Sequence, residues 1–466
     1  MELLTAAESE AAQRRIAGGL LRRGLGSGDR VALLTSSSGS MLSAILGALR
    51  VGIVPVLLNS GLTPHERDRL LADAAPALIV DDALLASLVE AAPTELAPYP
   101  LARAMHYTSG TTGEPKGVWS GVLDETEAAA LFREEAELWG FDAADRHLVC
   151  SPFHHSVSIR FGGGTLLSGG SVIVLGRFEA QTAVRALAEC RPTTTFMVPS
   201  HLQRLFAYAD DVGSLPDHPD LRLLAHAGSP CPPPLKRRTI TEFGVDQVWE
   251  FYGSTEGQFT ACSSHEWLER PGTVGRARPG RRLFIEPVED DLAGTQPNGE
   301  PGSGPEDVGV IWCEVPAYAR FEYWRDPEKT SGAWRTTDQG QAFTVRDLGR
   351  LDADGYLFLD GRRDDLIITG GVNVYPAEIE NALAAAPGVA EVAVFGVEDE
   401  RWGQMVCAAV VPSRSGEAPD HDQLRRFAKQ VLAGYKVPKR FFLVEDLPRT
   451  STGKVQRNRI VDQLAL

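Results

Sequence analysis

Short runs of aliphatic and β-branched residues alternate along the chain with longer stretches whose apolar positions recur about every three to four residues. "RVALLTS" leads to "MLSAILGALRVG", then "IVPVLL", "TPHERDRLLADA" and "ALIV". The first kind of run suits a buried strand and the second an amphipathic helix, so the order predicts βαβ units. Thr63, Pro64 and Glu66 predict a helix start, with a hydroxyl cap, a reciprocal carboxylate and a proline in the first turn. The alternation returns in "SVIVLG", "EAQTAVRALAEC" and "TTTFMVP", and again in "LRLLAHAG", "PPPLKRRTITEFG" and "QVWEFYG". An α/β fold of mostly parallel sheets flanked by helices follows. Residues 288–308 interrupt it with Gly, Pro and acids and read as a surface loop. Beyond residue 361 the pattern becomes that of a compact α+β unit: "LIITGG", the helix "YPAEIENALAAA", then "VAEVAVFGV", "QMVCAAVVP" and "KRFFLVE". The expected division is a large domain over 1–361 and a small one over 362–466.

The length of 466 residues agrees with more than one core. A formal charge of −16, with no block of Lys and Arg, argues against nucleic acid or an anionic membrane as partner. The six cysteines are scattered without paired spacing, as expected of reduced thiols in the cytoplasm rather than disulfides or zinc ligands. The start is acidic without an apolar signal core, and the most apolar run is interrupted by Arg50 and Pro55, so neither export nor a membrane span is expected.

"YTSGTTGEPKG" at 107–117 changes the picture from fold to chemistry. Gly110, Gly113 and Gly117 let successive amide groups point into one concavity. Thr108, Ser109, Thr111 and Thr112 add hydroxyls, and Lys116 adds a charge. Such a loop suits polyphosphate, although its glycine–lysine spacing is not that of the Walker loop and no Ser or Thr follows the lysine.

Three further segments stand with it in order: "YGSTE" (252–256), "GRRDDLIITGG" (361–371) and "PRTSTGK" (448–454). Together the four resemble the ANL superfamily of adenylate-forming enzymes, which includes acyl- and aryl-CoA ligases, luciferases and nonribosomal adenylation domains. The resemblance runs from about residue 30 to the C-terminus. It implies ATP as co-substrate, with Mg²⁺. Lys116 and the loop amides would take the β- and γ-phosphates, Glu256 the metal, and Thr255 the α-phosphate. Gly253 and Ser254 belong to the same nucleotide motif. Tyr252 would stack on adenine, with Gly228 and Ser229 of "AGSP" as its backbone wall. Asp338 in "WRTTD" would accept the ribose hydroxyls, despite Thr337 where the motif has glycine, and Arg362 would be a second ribose contact. Asp364 would be the hinge of a rotating small domain that carries the catalytic Lys454.

"VFGVEDERWGQMVCAAVVP" resembles aryl-CoA ligases and implies CoA as acceptor, with Trp402, Gly370 and Gly371 lining the thiol tunnel. "PFHHSVSIRFGGG" resembles the segment carrying the gate and the acid-pocket helix. It implies His155 as gate, His154 as packed structure, and Ser158, Arg160 and Gly253 near the acid. Arg160 departs from a mostly apolar family pattern. An outward guanidinium paired with an acid is its plainer reading; facing inward, it would favour a small or doubly anionic acid. Other acceptors stay open: a carrier protein, which would be a separate chain, or an aryl amine receiving activated nitrite as in ATP-dependent diazotases. A nucleotide-binding pseudoenzyme is the non-enzymatic alternative. The four candidates Lys116, Glu256, Asp338 and Lys454 favour the enzyme.

Overall fold

The computed structural model describes residues 1–59, 62–109, 115–287, 308–362, 365, 367–369, 372–374, 376–399, 403–413, 418–432, 434–449 and 455–464. Most of the expected surface loop at 288–308 lies outside them. Among the described residues the strands form three sheets, of 14, six and five strands. In the largest, Ser171–Val174, Arg146–Val149, Thr194–Met197, Leu223–His226 and Val248–Glu250 run parallel. Beyond Val248–Glu250 the sheet continues antiparallel through Thr260–Ser263, Thr273–Ala277 and Tyr356–Arg362 to Asp347–Leu351. In the second sheet Val54–Leu57 joins Arg30–Leu34 and Met105–Ser109 in parallel. The antiparallel strand Pro115–Trp119 pairs with Met105–Ser109, setting Thr108 opposite Lys116.

The expected βαβ order is therefore present. The helix Pro64–Ala74 begins with the predicted capping box of Thr63 and Glu66. Val31, Ala32 and Val54 are fully buried between layers, as parallel strands covered on both faces require.

The helix Ser156–Leu167 carries the segment expected to line an acid pocket. It carries Gly162, Gly163 and Gly164 in succession, each costing about 1 kcal/mol of helix propensity relative to Ala. Close packing offsets that cost: a Cβ on Gly164 would stand 2.2 Å from the Phe141 ring, and one on Gly163 3.0 Å from Leu46. The three glycines thus let the helix sit tightly against its neighbours.

From residue 367 the strands belong to the third sheet, where Val389–Asp399 and Gly403–Pro412 form a long antiparallel pair and Arg440–Leu443 adds in parallel. Ile379, Leu383, Val394, Ala408 and Phe441 pack in its own core. Arg457 bridges Asp365 at 2.9 Å and Glu380 at 2.8 Å, tying the start of this unit to its last helix.

Candidate active site

Three candidate segments leave the C-terminal ends of parallel strands, where open α/β sheets place their ligands. Residues 151–155 follow Arg146–Val149, the "AGSP" turn follows Leu223–His226, and "YGSTE" follows Val248–Glu250. Gly228 is exposed at φ 94°, a conformation glycine adopts without strain.

The "YGSTE" turn is tight. The Ser254 amide donates to the Gly257 carbonyl at 2.8 Å, and Gly253 pairs with Gln258. A Cβ on Gly253 would lie 2.8 Å from the backbone of Gly257 and Gln258, so only glycine closes this turn. The Ser254 hydroxyl is buried without a hydrogen-bond partner. A buried polar atom left so is costly and suits a site that receives a ligand.

Arg103, which sequence reasoning missed, holds the same turn from outside. Its guanidinium donates to the carbonyls of Thr255 at 2.9 Å and Glu256 at 3.4 Å. Burial, and then the neighbouring Arg160, push its pKa down to about 10.

Lys116 and Glu256 are brought together by Tyr323, a second residue the sequence did not single out. The Lys116 ammonium stands 5.0 Å from the centre of the Tyr323 ring, and the Tyr323 hydroxyl donates to Glu256 Oε1 at 2.9 Å. Burial and the nearby Lys329 lower the Lys116 pKa. Among the described residues no group of three or more His, Cys, Asp or Glu side chains gathers to hold a metal. A single buried carboxylate nevertheless fits Mg²⁺, which takes one or two carboxylates and completes its shell with phosphate oxygens and water.

Asp338 must be corrected. It sits exposed in the two-residue turn between the strands Trp334–Thr337 and Gly340–Phe343, away from the nucleotide motif. The carboxylate that meets the motif is Asp347, which accepts a 2.6 Å hydrogen bond from the Tyr252 hydroxyl. Asp347 is also the cross-strand partner of Arg362. The hairpin holds the local "TTD" match at its exposed tip. The following run "RDLGRLDADGYLF", which ends in the strand leading to the expected hinge, was the available signal. Tyr252 itself is buried and its ring packs 4.8 Å from that of Phe259.

His155, the expected gate, occupies the N-cap position of Ser156–Leu167, and its ring lies 4.2 Å from that of His154. The His154 Nε2 is buried and unpartnered, and burial lowers its pKa to about 4. Ser158, expected near the acid, does not line the neighbouring cavity and donates to the Ser151 carbonyl at 2.9 Å. The helical period puts Ser156, Arg160, Gly163 and Leu167 on the opposite face, and these line a cavity of about 180 Å³. Gly253 lies outside that lining, which instead includes Glu256, Gly257 and Gln258.

The outward reading of Arg160 is also corrected. Its guanidinium faces the cavity, donates to the Gln258 side-chain oxygen at 2.9 Å and stands 3.5 Å from Glu135. Glu135 bonds Arg278 at 2.6 Å, while Glu134 accepts from Arg281 at 3.0 Å and from the Tyr318 hydroxyl. Burial alone would raise the Glu135 pKa, but Arg160 and Arg278 hold it below the usual carboxylate range. Leu46, Leu49, Leu131, Phe132 and Leu167 supply an apolar wall.

Gly110, Thr111, Thr112, Gly113, Asp364, Gly370, Gly371, Trp402 and Lys454 lie outside the described residues, as do the side chains of Thr108, Ser109 and Arg362.

A fold of this kind, with Lys116 and the buried Glu256 meeting at Tyr323 beside a strand-end turn, fits a nucleotide-dependent enzyme of the adenylate-forming class. The family model described as AMP-binding enzyme matches residues 2–103 and 101–304, and that of the AMP-binding enzyme C-terminal domain matches 378–454. The chain belongs to the AMP-binding enzyme family and is an AMP-forming ligase. It is 30% identical to the indoleacetate–CoA ligase of Aromatoleum aromaticum, over 96% of this chain and 90% of that protein. To a feruloyl-CoA synthase of an Amycolatopsis species it is 33% identical, over 98% and 93%. The ATP-bound crystal structure of MatB from Rhodopseudomonas palustris superimposes with a TM-score of 0.81 at 31% identity, covering 98% of this chain and 93% of that one. No described helix is long and apolar enough to cross a membrane.

Proposed function

We propose that this chain joins a short or aryl carboxylic acid to AMP, releasing pyrophosphate, and then transfers the acyl group to the thiol of CoA. The observation that carries this reading is the Lys116–Tyr323–Glu256 cluster, whose Glu256 also lines a partly apolar cavity. Two anions must meet in the first step. A carboxylate oxygen of the acid attacks the α-phosphorus as the bond to pyrophosphate breaks, and the developing charge needs fixed cations. Lys116 is positioned to stabilise the departing phosphates, and Arg103 keeps the Thr255–Glu256 turn in place. Glu256 would hold Mg²⁺, which when bound neutralises phosphate charge. Asp347, in place of Asp338, is our candidate for the ribose hydroxyls, with Tyr252 fixing its carboxylate.

In the second step the thiol sulfur attacks the acyl carbonyl, the bond to AMP breaks, and the thiol proton passes to solvent. The relatives that act on indoleacetate and ferulate both form CoA thioesters by name, which supports CoA over a separate carrier protein. Residues 362–466 would turn about Asp364 between the steps, withdrawing Lys454 and bringing Trp402, Gly370 and Gly371 to the thiol. All six cysteines are free, which supports a reducing compartment and a cytoplasmic enzyme. The test separates the half-reactions. Lys454→Ala should abolish acid-dependent pyrophosphate release while leaving thioester formation from supplied acyl-adenylate and CoA within a few-fold. Equal loss of both would overturn the two-state assignment.

A further inference from the structure

Lys116 and Glu256 are opposite charges in one site, yet among the described residues Lys116 forms no ion pair. Glu256 is one of the charges that act on it, beside Asp326, Lys329 and Arg346. Asp326 is already taken, paired with Lys329 at 3.2 Å. That leaves the buried Glu256 as the carboxylate to which a flexible lysine stem would turn. In a site partly shielded from water such a pair attracts strongly, and once formed it occupies both groups.

What meets them both is the ring of Tyr323. Its strand, Glu322–Tyr323, pairs antiparallel with Pro115–Trp119 and sets Tyr323 opposite Val118. Side chains two apart on a strand share a face, so Lys116 is the diagonal neighbour of Tyr323, within reach of a long side chain. The ammonium accordingly rests 5.0 Å from the ring centre, in the range where a cation is drawn to an aromatic face. The hydroxyl on the rim donates to Glu256 Oε1 at 2.9 Å, and the other Glu256 oxygen makes no hydrogen bond among the described residues.

Both sides of this contact are fixed by their own surroundings. The Tyr323 amide donates to the Thr330 hydroxyl at 2.9 Å, and Phe321 meets the ring edge-on at 5.4 Å. Arg103 holds the Glu256 backbone at its carbonyl. The ring is therefore a fixed part of the site.

Resting on the adenylating-ligase reading above, we propose that Tyr323 is a positioning residue that keeps Lys116 and Glu256 from neutralising each other. Its face holds the lysine for phosphate, and its hydroxyl turns the carboxylate so that one oxygen is left for Mg²⁺. ATP then meets a cation and a metal ligand that are both unspent. No ion pair between them has to break before it binds.

The test reads ATP binding directly, by calorimetry on the full chain without acid or CoA, first in EDTA and then across a Mg²⁺ titration. Tyr323→Phe keeps the ring and loses the hydroxyl. Its ATP affinity in EDTA should stay within about twofold of wild type, while the Mg²⁺ concentration that half-tightens ATP binding should rise about tenfold. Tyr323→Leu removes the ring, so Lys116 turns to Glu256 and ATP affinity in EDTA should fall by about five- to tenfold. Adding Glu256→Gln to that variant frees the lysine. It should tighten ATP binding in EDTA by about five- to tenfold more than the same change does in wild type, a difference that neither lost stability nor a lost negative charge produces by itself. Equal gains from Glu256→Gln with and without the ring, or an unchanged Mg²⁺ midpoint in Tyr323→Phe, overturn this proposal and leave the ligase reading standing. The Phe variant differs by one oxygen, so the test holds even where the Leu variant does not fold. A wild type that binds no ATP under either condition overturns both.

Discussion

Replacing Asp347 by Asn should selectively weaken the use of ATP, while the same change at Asp338 should do almost nothing. Asp347 accepts a 2.6 Å bond from Tyr252, a residue whose backbone enters the Gly253–Glu256 turn, so its carboxylate is fixed relative to that turn. As an ionised acceptor it would offer ribose hydroxyls charge-assisted bonds worth about 1.5–3 kcal/mol. Asn keeps the shape and the Tyr252 contact but loses the charge. The expected loss in kcat/KM for ATP is therefore about ten- to 150-fold. Tyr252→Phe removes only the positioning bond, about 1 kcal/mol, and should cost about fivefold. Asp338, exposed at a hairpin tip, should stay within the roughly 0.5 kcal/mol typical of surface changes. The assay is pyrophosphate release with ATP varied at saturating acid, then the reverse. Equal ATP effects at the two aspartates, or a loss confined to the KM of the acid, would refute the assignment of Asp347.

Glu256→Gln keeps an oxygen for the Tyr323 hydroxyl but offers Mg²⁺ a neutral amide. The Mg²⁺ concentration for half-maximal pyrophosphate release should rise by at least about tenfold, the loss already common for outer-sphere partners; an unchanged titration removes Glu256 as the ligand. Asp360, on the strand leading to the expected hinge, has its pKa pushed up to about 6 by burial, against about 3.9 in an unfolded chain. The fold therefore favours its neutral form: the contribution of Asp360 to stability is highest below pH 4, falls as pH rises from about 4 to 6, and then levels off about 1–3 kcal/mol lower. In urea melts Asp360→Asn should match wild type near pH 4 and exceed it by that amount at pH 7, whereas a wild type at least as stable as the variant at pH 7 would rule this out.

The sequence by itself determined the α/β class, the βαβ order, the capped helix at Thr63 and the ordered motifs of an adenylate-forming enzyme. Each of these is encoded locally, in hydrophobic period, capping chemistry or contiguous residues, so reading along the chain recovers it. Only the tertiary structure decided which carboxylate meets Tyr252, because a short hairpin shifts Asp338 outward while strand pairing brings Asp347 in. Only the tertiary structure turned Arg160 into the cavity, where helix packing on Gly163 and Gly164 sets the rotation of its face. Arg103 carried no motif at all: its contact with Glu256 spans 153 residues, and that of Arg160 with Gln258 spans 98. Contacts of that separation are fixed by how whole elements stack. The charge of the pocket is a property of that stacking.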